Sequence, residues 1–175
     1  IEVYYKVENA SDYSEDVIRI ASDLTSQFIG ARIKPTNVVL HSQGLRTDDL
    51  MQGYNLKDEE PVHLLITVIQ NYKQIGNIAQ IYVNGVKKCS FEWSASDTFA
   101  HNGKLSFGSD TADLYIYKCR VYTEAFDWVM AGKNFISCLP DTESKTAAYT
   151  KFYSVLTDDN NISFEQVKAA GLNYF

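Results

Sequence analysis

The segment AQIYVNGVKKCSFEW, from Ala79 to Trp93, constrains the fold of this chain more than any other stretch. Ile81 and Val83 lie on one side of an extended strand and Tyr82 lies on the other. The Asn84-Gly85 dipeptide that follows tolerates the positive φ angles of a type I′ turn. We therefore expect AQIYV and VKKCSFEW to pair as an antiparallel hairpin, whose role is catalysis, sugar binding or only bracing.

Seven further runs of β-branched and aromatic residues are separated by turn residues, which is typical of a multi-stranded antiparallel sheet. The polar stretch from Gly44 to Pro61 is predicted to be a functional loop or an excursion from the fold. Ile81, Val83, Leu114, Ile116 and much of LLITVI are expected in the core. The runs are IEVYYKV at 1–7, VIRIAS at 17–22, FIGARIKP at 28–35, NVVLHSQ at 37–43, VHLLITVIQ from Val62, GKLSFGS at 103–109 and DLYIYKCRVY at 113–122.

After the last strand, the segment TEAFDWVMAGKNFISCL has a partial helical period. We expect Asp127 to help start one short helix there and Pro140 to end the segment. Further along, Ser163 and Gln166 form a capping-box pattern that predicts a brief second helix. The chain is therefore divided into a sandwich domain at 1–141 and a C-terminal extension, or the start of a neighbouring segment, at 142–175.

Composition excludes two classes of partner. Aromatic residues make up 13% of the chain, which fits a β protein or a surface that binds through ring contacts. The formal net charge of -6 repels phosphate backbones and argues against nucleic acid. The longest apolar run, VHLLITVI, stops at position 69, well short of the roughly 20 residues that a membrane helix needs. We expect neither nucleic-acid binding nor membrane insertion.

The cysteines and histidines show no catalytic or metal-binding spacing. Cys89, Cys119 and Cys138 match neither a disulfide framework nor a zinc pattern with paired ligands. Cys89 and Cys119 are expected to be buried as small hydrophobic side chains. No Gly-x-Ser-x-Gly elbow or cysteine-protease signature accompanies any histidine. His63, at the start of a strand, is expected to be a structural residue with satisfied hydrogen bonds.

The order of these segments resembles the C-terminal half of a concanavalin A-like, laminin-G-like jelly roll. The motifs that carry the resemblance are IYVNG, KLSFGS and DLYIYKCRVYTEAFDWVMAGKNFISCLPD. The family strand Ile-Tyr-x-x-Arg-Val-Tyr is matched by Ile116, Tyr117, Arg120, Val121 and Tyr122, and the later Asn-Phe/Tyr-Ile segment by Asn134, Phe135 and Ile136.

This resemblance covers Val62 to Asp141 well and Ile1 to Pro61 more weakly. It implies an all-β sandwich of two antiparallel sheets, with a short helix after the last main strand. The segment that follows is similar to modules in tail or capsid-associated proteins of bacteriophages of gut bacteria, and in surface proteins of those bacteria. The expected location is therefore a virion or a cell surface, as part of a larger protein.

The resemblance also bears on catalysis and metal binding. Relatives that cleave glycans carry alternating carboxylates, Glu-x-Asp-x-Glu, on one strand, and this chain has no such pattern. We therefore expect no enzymatic activity. Laminin-G-like domains sometimes hold calcium through loop oxygens, and Asp97, Asp110 and Asp113 flank turns where they offer such ligands. The alternative is that these aspartates serve only as turn residues; no other cofactor is expected.

A sugar-binding face is the remaining chemical use of the sequence. Sugar sites combine an aromatic ring for stacking with nearby carboxylate or amide groups. The candidate ligand-binding residues are Tyr82, Tyr115 and Tyr117, on the strand faces opposite the aliphatic sets, and Trp93, Asp97 and His101, in and after the hairpin. The alternative is that the tyrosines pack across strands and Trp93 closes the edge of the sandwich.

Three functions remain open. The leading hypothesis is a non-catalytic, lectin-like module of a larger virion or cell-surface protein, which attaches it to glycans or to another protein. The second hypothesis is a structural module that holds neighbouring domains or subunits together. The third, a glycoside hydrolase, is disfavoured because the paired strand carboxylates are missing.

Overall fold

Two antiparallel five-stranded sheets form the part of the chain that the structure describes. The structure is a computed structural model, and it describes residues 1–21, 28–43, 52–56, 61–72, 76–94 and 104–147. The strands are β1 Glu2–Glu8, β2 Ile18–Ala21, β3 Phe28–Ile33, β4 Asn37–Gln43, β5 Gln52–Asn55, β6 Val62–Tyr72, β7 Gly76–Val83, β8 Val86–Ser94, β9 Lys104–Phe107 and β10 Asp113–Arg120. One helix, α1, spans Trp128–Cys138.

The first sheet has the order β10-β1-β6-β7-β8 and the second has the order β5-β4-β3-β2-β9. All the pairings are antiparallel. Alternate residues of β1 and β6 point toward the second sheet and form one apolar cluster with it, which includes Val3, Tyr5, Leu64, Ile81 and Ile33. The predicted all-β sandwich of two antiparallel sheets is confirmed.

The β7–β8 hairpin forms as predicted, around a turn with φ of 49° at Asn84 and 79° at Gly85. Asn84 also ties the turn to the start of β6. Its Oδ1 accepts a hydrogen bond from the His63 backbone N–H at 2.9 Å, and its own N–H donates to the His63 carbonyl at 2.8 Å. The hairpin therefore braces the neighbouring strand.

Helix α1 covers the outer face of the first sheet. It starts at Asp127, as predicted, because the Asp127 carboxylate accepts a hydrogen bond from the Met130 backbone N–H at 2.9 Å. Ala131 packs in a second apolar cluster with Leu65 and Tyr82. Gly85 lies so close to the helix that a Cβ there would be 3.1 Å from the Cα of Gly132.

Three details differ from expectation. Strand β5 lies inside the polar stretch from Gly44 to Pro61, because an edge strand needs only backbone hydrogen bonds to one neighbour. Ile116 was expected in the core but is 39% exposed, and Cys119 is exposed rather than buried. Both errors have one cause: β10 is the outermost strand of its sheet, so its side chains have a neighbouring strand on one side only. Leu114, on the same strand, does pack against the core.

Beyond α1, the structure describes one further short helical segment at 142–147. Ser163 and Gln166 lie outside the described residues, so the second predicted helix and the boundary at 141 stay predictions. Within the described residues, no helix combines the length and hydrophobicity that crossing a bilayer requires.

Candidate functional site

The loop between β1 and β2 is fastened to the turn that precedes β10. Asn9 Nδ2 donates a hydrogen bond to Asp113 Oδ2 at 2.7 Å. The backbone N–H and the hydroxyl of Ser11 both donate to the Thr111 carbonyl, at 2.8 and 3.0 Å. These contacts fix the first half of the loop, where Asn9 turns the chain out of β1 with a φ of 52°.

The second half of the loop is held through two carboxylates. The Glu15 carboxylate accepts hydrogen bonds from Thr111 Oγ1 and from Ser109 Oγ, the latter at 3.0 Å. These bonds, with Thr111 contributing most, lower the pKa of Glu15. Asp16 accepts a hydrogen bond from Arg32 Nε of β3 at 2.7 Å. The loop is therefore anchored on both sides of its apex.

Tyr13 occupies that apex and is 50% exposed. It lies inside an Asx turn, in which the Ser14 hydroxyl and backbone N–H both donate to Asp12 Oδ1 at 2.7 Å. The same two bonds, the hydroxyl bond first, lower the pKa of Asp12. A large ring is thus presented to solvent by a backbone that has a defined conformation.

The ring borders a cleft of about 410 Å³ between the end of β1, the anchored loop and the β3–β4 turn. Small-molecule sites usually occupy about 300–1,000 Å³. The lining residues supply a phenol ring, a carboxylate, an amide and an ammonium group, and Lys6 Nζ forms an ion pair with Glu8 Oε1. The residues that line the cleft are Lys6, Val7, Glu8, Asn9, Ala10, Tyr13 and Pro35.

Two of the six predicted ligand-binding residues lie on β10, the strand that pairs with β1, although neither lines the cleft. Tyr115 is the direct cross-strand partner of Lys6, shares its face of the sheet and is 46% exposed. Tyr117 follows on the same strand, is 55% exposed and has its ring centroid 5.3 Å from that of Tyr4. The structure therefore exposes both rings on the edge strand next to β1, and Tyr115 adjoins Lys6 of the cleft lining.

Of the other four predicted ligand-binding residues, the structure describes two, Tyr82 and Trp93, on other strands of the first sheet. Tyr82 is 1% exposed beneath α1, its hydroxyl donates to Gln80 Oε1 at 2.9 Å, and burial raises its pKa to about 12. The prediction that Tyr82 offers its ring to a ligand is therefore wrong. Trp93 lies on β8, the opposite edge of the sheet from β10, and four strand spacings of about 4.8 Å separate the two edges. Asp97 and His101 lie outside the described residues.

Two of the three candidate calcium ligands, Asp110 and Asp113, lie in the described part of the chain. Asp113 is engaged by Asn9, and the Asp110 backbone N–H donates a long hydrogen bond of 3.5 Å to Glu15. Neither aspartate belongs to a group of three metal-capable side chains among the described residues. Asp97 lies outside them, so the calcium hypothesis stays a prediction.

A second polar cluster is buried between α1 and the outer face of the first sheet. Glu2 and His63 are both 0% exposed, and His63 Nε2 lies 3.0 Å from Glu2 Oε1. The other carboxylate oxygen, Oε2, accepts hydrogen bonds from the Tyr122 hydroxyl and, at 3.2 Å, from Asn134 Nδ2. An Arg120 guanidinium nitrogen lies 3.8 Å from the same oxygen.

The environment of Glu2 favours its ionised form. Burial acts to raise the pKa of Glu2, but the hydrogen bonds from His63 and Tyr122 and the charge of Arg120 outweigh it and lower the pKa to about 2. His63 is satisfied at Nε2, as predicted, whereas no described residue bonds its Nδ1. Its ring packs instead against Phe135 of α1, at a centroid distance of 5.7 Å.

Sequence reasoning missed both places. The segment ENASDYSED, which supplies Glu8, Asn9 and Tyr13, is polar and matches no binding or catalytic motif. The pattern that could have indicated a binding site is a single aromatic residue, Tyr13, among Asp, Asn and Ser turn residues. Loops on rigid scaffolds often carry binding residues. For the buried cluster, the signal was Glu2, a charged residue inside a run of apolar strand residues.

No protein-family model and no curated protein matches the chain, but several solved structures share its fold. The binding domain of botulinum neurotoxin DC, in complex with rat synaptotagmin II, matches with a TM-score of 0.58 at 12% sequence identity, over 79% of this chain and 35% of that one. The type G receptor-binding domain of botulinum neurotoxin gives 0.56 at 12%, over 77% and 36%.

The binding domain of Paraclostridial mosquitocidal protein 1 gives a TM-score of 0.50 at 16% identity, over 78% of this chain and 36% of that one. The chain thus spans about a third of the length of the structures that it matches. At these identities the likeness shows the fold alone. It supports a β-sandwich shared with toxin binding domains, and leaves the laminin-G-like and bacteriophage assignments as predictions.

Proposed function

We propose that this chain is a non-catalytic, lectin-like module that binds glycans in the cleft beside Tyr13. One observation carries the proposal: an exposed ring on a loop anchored at both ends borders a polar cleft of about 410 Å³. An anchored loop loses little conformational freedom on binding, so more of the contact energy is available for affinity.

The lining groups suit the surface of a sugar. An apolar C–H face of the sugar packs on the Tyr13 ring, and its hydroxyl groups exchange hydrogen bonds with the Glu8 carboxylate and the Asn9 amide. Tyr115, next to Lys6, extends the aromatic surface for a second sugar unit. The proposed ligand is therefore an oligosaccharide that lies along the edge of the first sheet.

The lining also supports binding without cleavage. Glycoside hydrolysis requires two carboxyl groups about 5–9.5 Å apart on either side of the scissile bond. Glu8 is the one carboxylate among the described residues that line the cleft, and it is paired with Lys6. This arrangement provides an acceptor for hydroxyl groups but no acid–nucleophile pair.

The matched structures are compatible with a role in attachment. They are binding or receptor-binding domains, and the binding domain of botulinum neurotoxin DC also has a structure in complex with SialylT. We extend the proposal to the parent molecule: the module belongs to a larger virion or cell-surface protein and attaches it to surface glycans.

A glycan array tests this function, run with the wild-type chain, Tyr13→Ala and Phe107→Ala. Phe107 is the matched control because it is also an exposed aromatic residue but lies on β9 of the second sheet. We expect specific glycan retention by the wild type and Phe107→Ala, and its loss in Tyr13→Ala with an unchanged circular dichroism spectrum. Glycan retention by folded Tyr13→Ala would refute this location of the site. No glycan retention by the folded wild type would refute the function.

A structural role in assembly is the second candidate, and the outer edge of β10 favours it. Among the described strands β10 pairs only with β1, and it leaves Ile116, Tyr117 and the adjacent Val121 exposed. Open strand edges with apolar side chains are common sites of strand addition. Light scattering across a concentration series distinguishes this role, because an assembly module forms defined oligomers that Ile116→Lys disrupts.

A further inference from the structure

Three metal-capable side chains meet in the buried cluster, although they come from distant parts of the chain. Glu2 lies on β1, His63 on β6 and Cys138 in the last turn of α1. One carboxylate oxygen, one imidazole nitrogen and the thiol sulfur all lie within 4.8 Å of one another. The described part of the chain contains no other group of this kind.

Two of the three separations between these atoms are close to those of a tetrahedral zinc site, and the third, between His63 Nε2 and Cys138 Sγ, is within 4.8 Å. Zinc bonds of about 2.0–2.1 Å to nitrogen, 2.0–2.2 Å to oxygen and 2.3 Å to sulfur place neighbouring ligand atoms roughly 3.4 Å apart for N–O and 3.6 Å apart for S–O. Glu2 Oε1 lies 3.0 Å from His63 Nε2 and 3.7 Å from Cys138 Sγ. Side-chain shifts of a few tenths of an ångström would bring these two distances to the values of a zinc site.

The two oxygens of Glu2 have different neighbours. Oε2 accepts from the Tyr122 hydroxyl and the Asn134 amide, which remain hydrogen-bond donors when a metal is present. Among the described residues, the hydrogen-bond partners of Oε1 are His63 and Cys138, the two groups that become metal ligands when they lose a proton. A carboxylate held by one oxygen and free to coordinate through the other is a common feature of metal sites.

We propose that Glu2 Oε1, His63 Nε2 and Cys138 Sγ bind a zinc-class divalent cation, with water in the fourth position. Mixed nitrogen, oxygen and sulfur ligands suit Zn²⁺. Binding releases the Cys138 thiol proton, and His63 coordinates as the neutral tautomer with its proton on Nδ1. The carboxylate and the thiolate balance the two charges of the cation, while the Arg120 guanidinium lies 3.8 Å from the other Glu2 oxygen and Lys118 interacts with the thiol. Coordination joins α1 to β1 and β6, independently of glycan binding.

Cobalt(II) titration tests the site, because a thiolate–cobalt bond gives a sulfur-to-cobalt charge-transfer absorption. The chain is stripped with chelator, kept reduced, and titrated as wild type, Cys138→Ala and Cys89→Ala. Cys89 is the matched control, since it is also half-buried and its thiol pKa is likewise raised by burial, but it packs on the other face of the sheet. We expect saturation at one cobalt per chain in the wild type and Cys89→Ala, loss in Cys138→Ala, and displacement by Zn²⁺.

A second measurement does not depend on a variant that folds. Thiol alkylation of the wild type, mapped by mass spectrometry with and without Zn²⁺, should show Cys138 protected by the metal and Cys119 unprotected. The proposal is overturned if the wild type gives no thiolate–cobalt absorption, if folded Cys138→Ala retains it, or if Zn²⁺ leaves Cys138 as reactive as before. Glycan retention in chelator is measured in parallel, so that failure of the metal site and failure of the glycan site are separate results.

Discussion

The two faces of β1 are stabilised in different ways. Val3, Tyr5 and Val7 point into the sandwich and belong to one apolar cluster. On the other face, Glu2 makes specific hydrogen bonds beneath α1, while Lys6 forms an ion pair at the cleft. An apolar face draws its stability from buried area and depends little on pH, whereas a polar face depends on individual bonds and on protonation. Two substitutions test this contrast, and a third tests the contact between the hairpin turn and α1.

The largest effect is expected from Leu64→Ala on β6, since Leu64 is the cross-strand partner of Val3 on the apolar side. Leu64 is fully buried in the main cluster, and truncation of a buried leucine costs about 2–5 kcal/mol of unfolding free energy because it removes apolar contacts and leaves a cavity. Urea unfolding of the wild type and the variant at pH 7 and pH 4 measures the loss. The loss should be the same at both pH values; a strongly pH-dependent loss would contradict the assignment of this face.

The second effect is acid sensitivity on the polar face. The pKa of Glu2 in the folded state, about 2, lies below its ordinary value, so the unfolded chain takes up the proton first. The stabilisation is therefore complete above about pH 4.5 and is lost as the pH falls toward 2, by roughly 2–3 kcal/mol. Glu2→Gln should remove much of this dependence.

Glu15→Gln is the matched control, because the pKa of Glu15 is also lowered but its hydrogen bonds lie at the surface loop. Unfolding free energies at pH 6, 4 and 3 should fall less steeply in Glu2→Gln than in Glu15→Gln. Equal slopes in the wild type and Glu2→Gln would show that the buried carboxylate does not govern acid stability.

The smallest effect is expected where the hairpin turn meets the helix. Gly85→Ala places a Cβ on a residue with a φ of 79° and 3.1 Å from the Gly132 Cα, so both backbone strain and a close contact disfavour it. We expect a loss of about 1–2 kcal/mol, measured as a lower thermal midpoint. Gly108→Ala is the control, because Gly108 also has a positive φ but nothing lies within 4 Å of its added Cβ. An unchanged thermal midpoint in Gly85→Ala would contradict this close contact.

Local patterns in the sequence were sufficient for most strands, for the Asn84-Gly85 turn and for the start of α1 at Asp127. Each of these depends on residues that are close together in the chain. Strand β5 escaped prediction because a short edge strand needs no hydrophobic alternation. The alternation around Tyr82 showed that it lies opposite Ile81 and Val83, but it carried no information about which face α1 would cover.

The candidate sites depend on pairings between distant segments, which explains why the sequence did not reveal them. Glu2 meets His63 only because β1 pairs with β6. The loop that carries Tyr13 is held by hydrogen bonds to Thr111 and Asp113, which lie about 100 residues later in the chain. A single sequence offers residue types at these positions but no signal of their partners, so the cleft and the buried cluster emerged only from the fold.

The place of β1 in its sheet also has a consequence for how the molecule folds. Strand β1 lies between β10 and β6, so the first described strand completes its pairing only with the last one. The hairpin β7–β8 and its neighbour β6 form from contacts that are close in sequence and can assemble early, whereas the side of β1 that pairs with β10 stays open until β10 is available. Pairing of such distant segments is slow because loop closure precedes any stabilising contact. On the ribosome, the sandwich therefore closes only after Arg120 has emerged.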